Sequence, residues 1–291
     1  MAQVSAALVK ELRERTSAGM MDCKKALEEC DADIEKSIDW LRQKGLSKAA
    51  KKAGRATTEG IIARKATDDN SVVAIVEVKC ETDFVARGEQ FQQFAASMAD
   101  RVFAAKPTDD AALQAMVGND VNQLIGTLGE NMSVGRFCVM QVNGAGVVGS
   151  YIHSNSKIGV LVEVGCKKAE TAQKPELLEM AKNIAMQVAA ANALALDEKS
   201  LDPAAVERER EVFRQKTLDE GKPANIVEKI VEGRIKKFYQ EVCLLNQAYI
   251  RDDTLTIRDL VAKEGKALGD ELAVARFVCF RLGEDAPAQE A

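Results

Sequence analysis

Seven residues recur in this chain. Ala74-Ile-Val-Glu-Val-Lys-Cys80 returns as Val160-Leu-Val-Glu-Val-Gly-Cys166, with four positions identical, at an offset of 86 residues. The same offset aligns Phe94 with Met180, Ala95 with Ala181, Met98 with Ile184, Ala99 with Ala185 and Val102 with Val188. The first block is a β-rich apolar run, and the second falls on one helical face. A strand signal and a helix face repeating in one register predict a duplicated α+β core, each unit a small antiparallel sheet with helices packed on one face. Strands are expected at Gly60–Lys65 and Val72–Val78 in the first unit, with a helix over Gln90–Val102. The second unit is expected to hold Arg136–Val142, Val147–His153 and Ile158–Val164, joined by the turn-rich Asn143–Gly146 and Ser154–Ser156.

Between strand and helix of the first unit lies Lys79-Cys-Glu-Thr-Asp-Phe-Val85. Read locally, Asp83 caps the helix start and Phe84 staples it. Read as a loop between two rigid elements, the same residues present a probe to a partner. The duplication separates these readings. Thr82-Asp83-Phe84-Val85 corresponds to Lys168-Ala169-Glu170-Thr171, so the second unit keeps strand and helix without the aromatic group. A fastening role would call for an apolar residue in both.

Around this core, residues 1–45 carry the periodicity of three short helices. Leu8 and Leu12, Met21 and Leu27, and Ile34, Ile38 and Leu41 mark their faces, Asp31 and Asp33 signal a start and Gly45 a stop. So small a module needs a neighbour to complete its core. Lys44, Lys48, Lys51, Lys52 and Arg55 make the following stretch basic; without interleaved aromatics it reads as a solvated linker or exposed helix. Residues 196–244 are charged and helical, broken at Gly221-Lys222-Pro223, with Val206, Phe213, Ile226, Ile230 and Ile235 as the thin seam of a projecting αα-hairpin. Thr254–Gly265 reads as a helix, Ala273–Leu282 as a closing strand and 283–291 as a polar, fraying end. The expected division is 1–55, 56–135, 136–195, 196–244 and 245–291.

Several functions are disfavoured. Forty Lys and Arg against 45 Asp and Glu give a net charge of −5, unlike a dedicated nucleic-acid binder. Seven cysteines stand singly, without the spacing of a disulfide framework or zinc site, and His153 is the only histidine. Gly144-Ala-Gly-Val-Val-Gly149 fits GxGxxG but runs into another strand-like stretch, so it has no helix N-terminus for a pyrophosphate and reads as a hairpin turn. No phosphate-binding GxxxxGK[ST] loop is present, nor an apolar run of membrane-spanning length. The expectation is a cytoplasmic protein without cofactor or metal, not an enzyme, and bound neither to membrane nor directly to nucleic acid.

The run Leu8-Val-Lys-Glu-Leu-Arg-Glu-Arg-Thr16 with Ala18-Gly-Met-Met-Asp-Cys-Lys-Lys-Ala-Leu27 resembles the N-terminal signature of bacterial elongation factor Ts. Thr82–Val85, Gly129-Glu-Asn131, Tyr151–Val160 and Val231-Glu-Gly-Arg-Ile-Lys-Lys237 fit that family in order. The resemblance implies a ubiquitin-associated-like N-terminal module, a two-part core and a coiled-coil hairpin. It implies guanine nucleotide exchange on the GTPase elongation factor Tu, with Thr82, Asp83, Phe84 and Val85 dislodging the partner's magnesium. It further implies partner contacts at Arg13, Met20, Met21, Leu128, Gly129 and His153, and self-association into a heterotetramer. Two other classes compete: a scaffold that binds through the three-helix module alone, and a cysteine-dependent enzyme, for which no cysteine has an activating partner.

Overall fold

A strand buried along nearly its whole length needs cover on both faces, and Val72–Cys80 is such a strand. The computed structural model describes residues 4–16 and 18–284. Three helices lead the chain: α1 (Ala6–Thr16), α2 (Met20–Glu29) and α3 (Ile34–Lys52). The first unit then runs β1 (Glu59–Ala66), β2 (Val72–Cys80), α4 (Asp83–Ala86), α5 (Glu89–Ala105), α6 (Asp110–Leu128) and β3 (Met132–Gln141), its antiparallel sheet ordered β1-β2-β3. The second begins with β4 (Gly146–Ile152), β5 (Ile158–Cys166), α7 (Ala169–Ala172) and α8 (Pro175–Ala191). Its β5, α7 and α8 match β2, α4 and α5 residue for residue at the offset of 86. After α9 (Pro203–Asp219), α10 (Ala224–Val242), β6 (Ala248–Tyr249) and β7 (Asp252–Thr256), α11 (Ile257–Leu268) and β8 (Leu272–Arg281) complete it, with sheet order β4-β5-β8.

The α+β expectation holds, with one exchange of strands. Arg136–Val142 is expected in the second unit, but residues 136–141 belong to β3, which pairs with β2, so position 136 falls inside a strand of the first sheet. Its true counterpart is β8: Val134-Gly-Arg-Phe137 matches Val274-Ala-Arg-Phe277 at an offset of 140, stretched by the hairpin inserted after α8. The turn at Gly144 therefore links two sheets and closes no hairpin. Helix α6 went unread, although Asp109 caps it, Leu113, Val117, Val121 and Ile125 repeat every fourth residue, and Gly129 ends it at φ +80°. The helix expected from Thr254 starts later. Thr256 and Asp259 form a capping box, and the residues before it are β7.

Alternate residues of β2 serve different cores. Ala74, Val76 and Val78 face α5 and α6, whereas Val73 and Ile75 face the other sheet. The two sheets thus lie between outer helical layers, α8 and α11 covering the second. Their contact is nearly two-fold symmetric. Ile62, Ile75 and Met140 meet Val148, Leu161 and Phe280, which hold equivalent places in the repeat. Ile62 donates its N–H to Ser156 (2.7 Å), and the equivalent Val148 donates to Asn70 (2.8 Å). Two carboxylates, Glu77 and Glu163, are buried at matching β-irregularities. Arg136 Nη2 reaches Glu77 at 2.9 Å and the Arg281 carbonyl at 2.6 Å; Arg276 reaches Glu163 Oε2 at 2.7 Å and the Gln141 carbonyl at 3.1 Å. Each arginine crosses to the opposite sheet.

The N-terminal helices enclose a small apolar cluster, Leu12, Cys23, Ala26 and Leu27, and α3 attaches them to the core through α6. It runs straight through Gly45, which is buried against α6; a Cβ on Gly126 would lie 3.0 Å from the Gly45 Cα. Gly45 is a close-approach position, not a stop. The basic stretch is helical to Lys52 and largely tied down: Lys44 and Lys48 each reach Asp22 at 2.8 Å, and Lys52 donates to the Gly129 carbonyl. Helices α9 and α10 pack through Val227, Val231 and Ile235 with Phe213 and Tyr239, flanked by Arg210–Glu232, Arg214–Glu228 and Arg234–Glu220 ion pairs. The seam is thin, as expected, but Ile226 points outward and Val227 and Val231 take the inner positions. Of the polar C-terminal stretch, residues from 285 on lie outside the described ones.

Two predictions follow from these contacts. Arg136→Met strands a buried carboxylate and is expected to lower unfolding free energy by about 3–5 kcal/mol in urea titration, whereas Arg276→Met costs less because its side chain is already 58% exposed. Hydrogen bonds from Lys44 and Lys48 hold the Asp22 carboxyl below its ordinary pKa, against partial burial. A lowered folded-state value contributes stability above the unfolded value of about 4, which is lost as pH falls through the folded one. Trp40, the single tryptophan, has Lys44 Nζ 4.7 Å from its ring centre, so its fluorescence reports this clamp. Asp22→Asn should weaken the module at neutral pH and flatten its acid-side transition.

Candidate functional site

The chain turns sharply where β2 ends. Thr82 is extended (φ −126°, ψ 154°), and its Oγ1 accepts the Val85 N–H at 3.4 Å to cap the single turn of α4. The cap is thus Thr82, and Asp83 takes the next position. There its negative charge suits a helix start, and its carboxylate pairs with Arg87 at 3.0 Å. The Glu130 carboxylate accepts both the Thr82 N–H (3.0 Å) and its hydroxyl (2.6 Å). Val85 packs on the core of the first unit and Ala86 is buried in it. Phe84 points the other way and is 84% exposed. It staples nothing; Val85 and Ala86 do the fastening.

The repeat supplies a comparison within the molecule. At the second corner Lys168 precedes α7, Thr171 is buried where Val85 stands, and Glu170 is exposed in place of Phe84. Asp270, equivalent to Glu130 at the offset of 140, accepts the backbone N–H groups of Lys167 (3.2 Å) and Lys168 (3.0 Å). The signal for both carboxylates was readable as Leu128-Gly-Glu-Asn-Met132 against Leu268-Gly-Asp-Glu-Leu272. Sequence reading missed it because its register was fixed at 86.

The other expected contact residues divide into groups. Leu128 and the exposed Gly129 precede Glu130 directly, so the structure joins them to Thr82–Val85 in one patch. Arg13, Met20 and Met21 are exposed on α1 and α2, the methionines 59% and 73%. Isolated apolar groups at a surface are ordinary, and Leu194, Val212 and Ile250 are exposed as well; Phe84 is the most exposed of the large apolar side chains among the described residues. His153 directly follows β4 of the second sheet, half-buried, with Nδ1 2.9 Å from the Tyr151 hydroxyl. Among the described residues no hydrogen bond joins it to the Thr82 corner.

Thiolate chemistry finds no support. Burial, then the charge of Glu130, pushes the Cys80 thiol up to about 12, and burial, then Glu198 and Asp197, pushes Cys243 to about 11. A thiol raised this far is protonated and a poor nucleophile near neutral pH. Among the described residues no cluster of three His, Cys, Asp or Glu side chains is placed to hold a metal, and no helix is long and apolar enough to cross a membrane. What the described residues do offer is exposed apolar surface, at the Phe84 corner and at Met20 and Met21.

Comparison with known proteins shows the family. The family model described as Elongation factor TS matches residues 81–284. The chain is 58% identical over 286 residues to elongation factor Ts of Desulfovibrio desulfuricans, covering 98% of this chain and 100% of that one. It is 50% identical to elongation factor Ts of Lawsonia intracellularis, covering 97% and 99%, and 45% identical to that of Clostridium novyi, covering 99% and 95%. Matches of this identity over nearly the full length of both chains are shared ancestry across the core, hairpin and N-terminal helices alike: the chain belongs to the elongation factor Ts family.

Proposed function

We propose that this chain is a guanine nucleotide exchange factor for elongation factor Tu. It binds the GDP-bound GTPase, inserts the Asp83–Phe84 corner and disturbs the partner's magnesium site, so that GDP leaves and GTP enters. The observation that carries this reading is Phe84, 84% exposed on a turn whose neighbours are anchored. A GTPase holds its nucleotide through P-loop amides, a lysine and a magnesium ion bridging the phosphates. Displacing the metal leaves phosphate charge undercompensated. Burying Phe84 yields about 1.5–3 kcal/mol, while a nanomolar nucleotide is held by about 12 kcal/mol. Phe84 alone is far too little.

Release therefore draws on an extended interface, to which Arg13, Met20, Met21, Leu128, Gly129 and His153 contribute in this reading. By linkage, incoming nucleotide weakens the factor's grip as much as the factor weakens the nucleotide's. No bond is made or broken. The three N-terminal helices act as a ubiquitin-associated-like docking module, and α9–α10 form a coiled coil available for self-association into a heterotetramer. The protein works in the cytoplasm, where its partner is.

A second reading, a scaffold acting through the N-terminal helices alone, is favoured only by the exposed Met20 and Met21. It requires residues 1–55 to bind the partner nearly as well as the whole chain, which titration of both decides. Under the exchange reading, Phe84→Ala should slow stimulated release of a fluorescent GDP in stopped flow by about tenfold or more, since ~1.4 kcal/mol corresponds to a factor of ten. Its melting temperature should stay at the parent value. Release at the parent rate would remove Phe84 from the mechanism.

A further inference from the structure

We propose that Glu130 is the positioning residue of the Phe84 corner, a latch that fixes where the aromatic ring points; this rests on the exchange reading just given. Phe84 has almost no packing of its own, so the backbone alone sets its direction. That backbone is one helical turn, too short to be stable in isolation. The Thr82 N–H precedes the turn and has no partner within it. Glu130 supplies one, and takes the Thr82 hydroxyl with its second oxygen, across 48 positions of sequence.

The latch is itself held. Gly129, left-handed at φ +80°, donates to the Ile125 carbonyl at 3.0 Å, and its own carbonyl accepts from Lys52. Asn131 donates its N–H to Glu81 Oε1 at 2.6 Å and its amide to the Arg55 carbonyl at 2.7 Å. Corner and turn therefore exchange carboxylates: Glu81 reaches from the corner to the turn, and Glu130 from the turn to the corner. Lys52 and Arg55 bring the end of the N-terminal module to the same point.

Asp270 shows which part of this belongs to the frame. It holds the second corner through the backbone N–H groups of Lys167 and Lys168, with Glu170 in place of an aromatic beyond it. A carboxylate at this place is common to both units. Only the first unit's longer Glu130 also grips the Thr82 side chain and carries a probe. Removing each carboxylate in turn then compares a latch with a probe against a latch without one.

In the full-length protein, Glu130→Ala should reduce stimulated GDP release at saturating factor by between about 10- and 100-fold, the cost of a misplaced contact. The factor concentration for half-maximal release should stay nearly constant, and Glu130→Gln should restore part of the rate. Asp270→Ala should lower the melting temperature without lowering exchange. Independently of exchange, Phe84→Trp in a Trp40→Phe background reports the corner by fluorescence anisotropy. Adding Glu130→Ala should lower that anisotropy, and adding Asp270→Ala should leave it unchanged. Unchanged anisotropy with Glu130→Ala, or exchange losses that follow melting temperature equally in both carboxylate variants, would overturn the proposal. If Phe84→Ala leaves exchange intact, Phe84 has no part in exchange, while the anisotropy still decides the latch.

Discussion

The reciprocal crossing of Arg136 and Arg276 between the sheets is the constraint on which the core depends. Each arginine satisfies a buried glutamate on its own sheet and a carbonyl on the other. A buried carboxylate without a partner is strongly unfavourable, so the sheets cannot slide or separate without stranding charge. Apolar contacts such as Ile75 with Leu161 would tolerate several packings. The charged pairs select one. They also differ: Arg136 is well enclosed, with its guanidinium 5.0 Å from the Phe280 ring centre, whereas Arg276 is more than half exposed. The duplicated frame is therefore pinned more firmly on one side than on the other.

A fixed frame gives the Phe84 corner its stiffness. Strand β2 cannot shift because both its faces are covered, α5 cannot shift because Phe91, Ala95 and Met98 are buried against the sheet, and the corner spans the gap between them. Exposure of a large aromatic group is then a property of the site rather than a packing defect, because the same architecture is completed in the second unit by Glu170. The two halves share the scaffold, and only the first carries an aromatic group at this corner.

Much of this was legible in the sequence, and the failures share physical causes. The repeat at 86 is visible because strand burial and helix faces constrain residue type at every second or third or fourth position. Strand β3 was misassigned because its partner lies beyond the inserted hairpin, where a single offset no longer applies. Gly45 was read as a helix end since glycine lowers helix propensity; the close crossing with Gly126 that requires it is a tertiary fact. Residue type alone favours Asp83 as the cap; Thr82 takes that place with an extended backbone whose N–H bonds to Glu130, 48 residues away. Local chemistry located the corner. Distant residues determined its shape.

The placement of β8 has a consequence for the order in which the protein is made. The first sheet has all three strands once β3 has been synthesised, but the second waits for the hairpin, β6, β7 and α11 before its last strand arrives. Chains fold from the N-terminus as they emerge. For that interval β4 and β5 already bring Val148 and Leu161 to Ile62 and Ile75, but Phe280 is still missing from the shared face and Arg136 lacks the Arg281 carbonyl it will later bind. The hairpin insertion thus separates β8 from β5 in time as well as in sequence, and the second sheet gains its last strand only near the end of synthesis.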